Sequence, residues 1–128
     1  MANSNPTETR IATIFKDENG IVIITIKNCG KVDEYDVFDI NLVLRRKINK
    51  NPTLKLLDTR AIWSMDKKAK ERAIQEDAFN PTKARAIVVS SILKSAMFTF
   101  LRRFSKKGYP QQFFTNKQEA YSWLTEFL

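Results

Sequence analysis

The chain has 128 residues, the size of one compact domain and too few for two of ordinary size, and its 43% apolar and 28% charged content excludes disorder over most of the length. It holds no histidine and a single cysteine, Cys29, which removes the commonest general base, the usual zinc ligand, every Ser-His or Cys-His dyad and any internal disulfide or cysteine metal cluster. The net charge is +8, and the stretch 78–118 has no carboxylate while carrying Lys83, Arg85, Lys94, Arg102, Arg103, Lys106, Lys107 and Lys117, so the excess is concentrated there and suits an acidic protein, an anionic membrane surface or nucleic acid.

Residues 1–9 are polar, include Pro6 and show no periodicity, which predicts a flexible tail ahead of a single domain over 10–128. The tail has no basic stretch followed by an apolar one, and no apolar run in the chain approaches the roughly 20 residues that span a bilayer, so a cytoplasmic protein without a transmembrane segment is expected. Segments 10–16 and 21–27 are rich in β-branched residues and flank Asp17-Glu18-Asn19-Gly20, in which Asn-Gly signals a hairpin. The second of them is apolar almost throughout and predicts a strand covered on both faces.

From 32 to 50 the period becomes helical, with Tyr35, Phe38 and Leu42 along one line and Val37, Ile40, Leu44 and Ile48 beside it as a broad apolar face. Asp33, Glu34, Asp36 and Asp39 open this helix and Arg45, Arg46 and Lys47 close it, the order that the helix dipole favours. A short strand over 53–59 follows and presents Asp58, Thr59 and Arg60 at its C-terminal end. A second helix is expected over 65–77 with Ser64 as N-cap. Its apolar stripe is thin, Met65, Ala69, Ala73 and Ile74, and leaves Lys67, Lys68, Lys70, Glu71, Arg72 and Glu76 for solvent or a partner.

Residues 84–89 read as a central parallel strand that ends in Ser90-Ser91, where a basic amphipathic helix begins and runs to about 107. Ile92, Leu93, Ala96, Met97, Phe100, Leu101 and Phe104 share its stripe, and Phe98 falls off it. Gly108-Tyr109-Pro110 closes the helix, 111–115 forms a last strand, and Asn116 to Glu119 has the form of a capping box before a helix with Ala120, Trp123, Leu124, Phe127 and Leu128 on one face. The order β-β-α-β-α-β-α-β-α predicts an α/β domain with a mainly parallel sheet, right-handed crossovers, an N-terminal hairpin at one edge and about four helices.

The second half carries AIVVSS at 86–91, an apolar helix segment at 95–101, a turn at 107–110, and Phe114-Thr115 followed by Glu119-Ala120 and Trp123-Leu124. In these features the chain resembles small stand-alone bacterial proteins of the STAS-like class, whose relatives include anti-sigma-factor antagonists, the cytoplasmic domains of sulfate transporters and CRAL-TRIO lipid-binding domains. In the antagonists the helix after the third strand opens with a Met-Asp-Ser-Ser-Gly type motif, is phosphorylated on serine, and meets a partner kinase. Here Ser64-Met65-Asp66-Lys67-Lys68 stands at that place, with lysines at the serine positions.

The resemblance implies a layered STAS-like domain with a regulatory or binding role, no cofactor and no catalysis of its own. A protein partner is expected on Trp63, Ser64, Asp66, Lys67, Lys68 and Glu71. The alternative is a small anionic molecule or lipid at the C-terminal ends of the parallel strands, held by Asp58, Thr59, Arg60, Ser90, Ser91 and Ser95, where open α/β sheets form crevices and a helix N-terminus favours an anion. Asp58 with Ser90 lacks a base to activate a nucleophile, which argues against an enzyme. Most aromatics of the basic segment are needed for the core, so nucleic acid is disfavoured. A sheet edge or Phe98 offers a route to a homodimer.

Overall fold

A computed structural model describes residues 5–27, 30–48, 51–61, 64–77, 80–90 and 108–128. In chain order the elements are β1 (Thr7–Glu8), β2 (Ala12–Lys16), β3 (Val22–Ile26), β4 (Lys31–Val32), α1 (Glu34–Ile48), β5 (Thr53–Asp58), β6 (Ser64–Met65), α2 (Lys67–Asp77), β7 (Thr82–Val88), β8 (Gln111–Phe114) and α3 (Lys117–Thr125). The central sheet has six strands in the order β1-β2-β3-β5-β7-β8. The first two pairings are antiparallel and the other three parallel, which is the expected α/β layout. Three helices lie among the described residues; the helix expected over 92–107, with Phe98, lies outside them.

The hairpin turn is one residue longer than the two-residue form that Asn-Gly most often makes. Gly20 N–H donates to Asp17 O at 3.0 Å and Asp17 N–H to Ile21 O at 3.0 Å, with Gly20 at φ +82°, so a turn over Asp17 to Gly20 ends in a left-handed glycine. The Asp17 carboxylate accepts from Asn19 N–H and Ile21 N–H, both at 2.9 Å, and Tyr121 of α3 donates its hydroxyl to the same carboxylate, tying the hairpin tip to the last helix. Residues 1–9 are corrected in part: Thr7 and Glu8 pair with Ile14 and Thr13 and add a short strand, reinforced by an ion pair between Lys27 and Glu8.

Strand alternation divides the core between the two faces of the sheet. On one side Ile14, Val22, Ile24 and Ile26 pack with Val37, Leu44 and Ile48 of α1 and Ala69 of α2, and Ile87 and Val89 with Ala73 and Ile74 of α2. On the other side Ile21, Leu54, Leu56, Ala84, Ala86 and Val88 pack with Ala120 and Leu124 of α3. The sheet is therefore covered on both faces, as the apolar run of β3 requires. Trp123 closes the α3 side, its ring 5.8 Å from that of Phe114 and 4.9 Å from that of Phe127.

Among the described residues, the buried polar side chains Asp36, Lys55, Asp58, Thr59 and Asn80 are each met by partners. Lys55, 3% exposed in the middle of β5, donates to Asn80 O at 2.7 Å and Thr82 Oγ1 at 2.8 Å, and Asn80 donates to Asn41 Oδ1 of α1 at 2.6 Å. At the start of α1, Asp33 and Asp36 exchange reciprocal bonds, each backbone N–H donating to the other's carboxylate at 2.9 Å. Asp36 is 3% exposed, and Arg10 from the approach to β2 grips it through Nε at 2.8 Å and through Nη2.

The α1 face is also corrected. The helix buries the row of Val37, Leu44 and Ile48, with Ile40 and Val43 partly covered, while Tyr35 is 68% and Phe38 37% exposed. Two neighbouring apolar rows satisfy the helical period, and only the one facing Val22, Ile24 and Ile26 can reach the sheet.

Candidate interaction site

The segment after β5 is held by two devices that the local sequence does not reveal. Ser64 and Met65 form a parallel pair with Lys31 and Val32, which keeps them extended, and Asp66 N–H continues the pairing to Val32 O at 3.2 Å. Asp66, not the expected Ser64, caps α2: its Oδ1 accepts from Ala69 N–H at 2.8 Å, and its carbonyl from Lys70 N–H at 3.1 Å. Ser64 is exposed and stands beside Lys31 in the small sheet. Trp63 lies outside the described residues.

Helix α2 touches the sheet through Ala69, fully buried, and through Ala73 and Ile74, partly buried, with Met65 just before it. Lys67, Lys68 and Glu71 are all exposed. One turn on from Lys68, Arg72 leans back onto α1: its guanidinium carbon lies 5.6 Å from the centre of the Phe38 ring, and Nη2 lies 3.5 Å from the Glu34 carboxylate. The exposed sides of α1 and α2 thus join into one strip through Tyr35, Phe38, Arg72 and Lys68. Tyr35 and Phe38 are not among the expected site residues, because both read as core in a one-dimensional pattern, whereas Arg72 is one of the charges the sequence leaves for solvent or a partner.

The strand-end residues form a second cluster, on the α3 side. Arg60 donates to Asp58 through Nε at 3.0 Å and Nη2 at 2.7 Å, and its backbone N–H adds a third bond at 3.1 Å. Burial of Asp58 works to raise its pKa, but the hydrogen bonds from Arg60 and the charges of Arg60 and Lys117 outweigh it, so the carboxyl is held below its ordinary value. Thr59 is 3% exposed, and its hydroxyl and backbone N–H both donate to Val88 O, at 2.8 and 2.9 Å. Ser90 is half-buried nearby in sequence, and Ser91 and Ser95 lie outside the described residues. Asp58, Thr59 and Arg60 are brought together as expected, yet they satisfy one another and β7.

Lys117, brought in by the turn after β8, is the strand-end residue that sequence reasoning missed. Its helix, α3, is capped by Asn116 Oδ1, which accepts from Glu119 N–H at 3.0 Å. A shallow depression of about 450 Å³ runs along α3 between Asn116, Trp123 and Glu126. Glu119 and Glu126 on its border give it the wrong sign for the anionic ligand expected at the strand ends. Among the described residues, no group of three or more His, Cys, Asp or Glu side chains could hold a metal ion, and no helix is long and apolar enough to cross a membrane.

Comparison with known proteins agrees with the architecture. A crystal structure of an uncharacterised protein from the DUF3478 family of Shewanella loihica PV-4, described as having a SpoIIAA-like fold, aligns over 88% of this chain and 91% of its own with a TM-score of 0.69 at 16% identity. The STAS-like fold is thereby shown, at an identity that speaks to fold alone. No match is found among curated proteins. The model of one family, a domain of unknown function, covers residues 15–128, from the end of β2 through α3. Since that span takes in both helix faces and every parallel strand, the chain belongs to the DUF7793 family.

Proposed function

We propose that this chain is a regulatory interaction module, without chemistry of its own, that binds a protein partner through α2. The observation that carries the reading is the division of labour on that helix. Ala69, Ala73 and Ile74 suffice to seat it, while Lys67, Lys68 and Glu71 stay exposed at the end where Asp66 and the β4–β6 pairing fix the backbone. A helix start fixed by a cap and a strand pairing, with exposed charges on it, suits recognition better than stability, because surface charges of this kind contribute little to folding. The resemblance to anti-sigma-factor antagonists, whose corresponding helix meets a partner, supports the same choice.

The anionic-ligand alternative is weaker, since Asp58 and Thr59 already spend their hydrogen-bonding capacity on Arg60 and Val88. The test is the double substitution Lys67→Glu and Lys68→Glu. Exposed positions of this type shift stability by no more than about 0.5 kcal/mol, so the melting curve should be unchanged while recovery of partner on the immobilised protein falls about tenfold. Undiminished recovery of every partner would refute the reading.

A further inference from the structure

We infer that the partner surface extends from α2 onto α1, and that its occupant is an acidic protein segment that seats an apolar side chain against Tyr35 and Phe38. This rests on the proposed partner-binding role of α2 and adds both the anchor and the chemistry of what it meets.

Three large hydrophobic side chains are exposed among the described residues: Tyr35, Phe38 and the terminal Leu128. A single exposed aromatic is ordinary, but two of the three stand one helical turn apart on α1, where they form a patch. Arg72 has 33% of its side chain exposed, stacks against Phe38, and is paired with Glu34, so the patch is rigid and has a cationic border. Rigid aromatics next to arginine are the composition in which interfaces concentrate their binding energy.

Charge selects the occupant. Lys67 and Lys68 are exposed on the α2 side of the patch, and Arg45 and Arg46 are exposed farther along α1, in the row of Tyr35, Phe38 and Leu42. Among the described residues, only two fully exposed carboxylates, Asp39 and Glu71, are interleaved with these four cations; Glu34 is engaged by Arg72, and Asp33 and Asp66 accept backbone N–H bonds at the starts of α1 and α2. A second copy of the chain would bring its own +8 against this strip, which opposes self-association. A nucleic-acid backbone would meet Asp39 and Glu71 at close range, and phosphates do not tolerate carboxylates there. A protein segment with carboxylates around one apolar residue answers both signs, and attraction to the cations would speed its encounter.

The experiment places a photo-crosslinking benzophenone amino acid at Phe38, at the more exposed Tyr35, and at Gln118 on α3 as a control on the opposite face of the sheet. Each full-length protein is irradiated in extract of its source cells, and the crosslinked segment is sequenced. Positions 35 and 38 should each give about tenfold more product than 118, to a segment of net negative charge, with the yield falling as salt is raised. A crosslink to the chain's own peptides, to nucleic acid or to a neutral or basic segment overturns the proposal, as does equal or absent product at 35 and 38.

Repeating the irradiation with Lys67→Glu and Lys68→Glu separates the two readings. If the crosslink at Phe38 persists undiminished, the α1 anchor stands and the role of α2 falls. If a benzophenone at Lys68 captures a protein that Phe38 and Tyr35 do not, the α2 reading stands and the α1 anchor falls.

Discussion

Asp36 shows how a residue's role depends on contacts its neighbours in sequence do not reveal. In the sequence it is one of several carboxylates at the start of a helix, where the dipole alone would account for it. In the fold it is 3% exposed and held by Arg10, which lies 26 residues earlier. Burial acts to raise its pKa, and the side-chain bonds from Arg10 together with the backbone N–H of Asp33 more than reverse this, leaving the carboxyl below its ordinary value. Arg10 is itself 55% exposed in its side chain, so screening limits the direct attraction, and the larger effect is that its loss leaves a buried carboxylate with fewer donors. Arg10→Met should therefore cost about 1–2 kcal/mol in urea unfolding at neutral pH. The cost should fade as pH falls through the folded pKa of Asp36, because the protonated carboxyl no longer needs the cation. A variant as stable as the parent at pH 7 would show that the pair contributes nothing. Tyr35 and Phe38 went unread at this scale for the converse reason: a period of 3.6 places two adjacent rows of α1 in contention, and only the strand opposite decides which is buried.

Elements were legible where a local rule acts alone and illegible where a distant segment overrides it. The Asn19-Gly20 turn, the two-faced β3 and the Asn116 cap all follow from residues within a few positions of one another. The start of α2 does not. Ser64 and Asp66 both satisfy the preference for a short polar N-cap, and the pairing of Ser64–Met65 with Lys31–Val32 selects Asp66 by holding the other two extended. Two-residue strands such as β1, β4 and β6 have no periodicity to read, since alternation needs about four residues to declare itself. Asp66→Ala should then cost about 1 kcal/mol and speed amide exchange at Ala69, whose N–H it accepts, while exchange in β5 and β7 changes no more than the global stability does. Ser64→Ala, by contrast, should leave both unchanged. If Ser64→Ala were the damaging substitution, the cap would be misplaced by two residues.

At the scale of the whole molecule, the alternation of strand and helix was enough to give a mainly parallel sheet beside an antiparallel N-terminal hairpin, because parallel strands need crossovers and right-handed crossovers leave few topologies. What it could not give is how a chain of net charge +8 responds to acid. The folded state depresses the pKa of Asp36 and of Asp58, each held by an arginine, so between the folded and unfolded values the unfolded chain binds more protons than the native one. The stabilisation from both groups is present above their unfolded pKa, about 3.9, and is lost as pH falls through the lower folded values. Over the same range the carboxylates that offset 22 lysines and arginines are neutralised, and repulsion among the cations grows. Unfolding free energy should thus change little from pH 7 to about 5 and fall below about 4. Two variants and salt separate the contributions. Replacing both acids, Asp36→Asn with Asp58→Asn, should lower stability at pH 7 and flatten the fall below pH 4, since the amides have no proton to take up. Added salt should recover part of the remaining loss by screening the cations, without restoring the slope that the two carboxylates supply. A double variant whose acid slope equals that of the parent would mean that the two arginine-bound carboxylates do not govern the molecule's response to acid, and that general charge repulsion alone does.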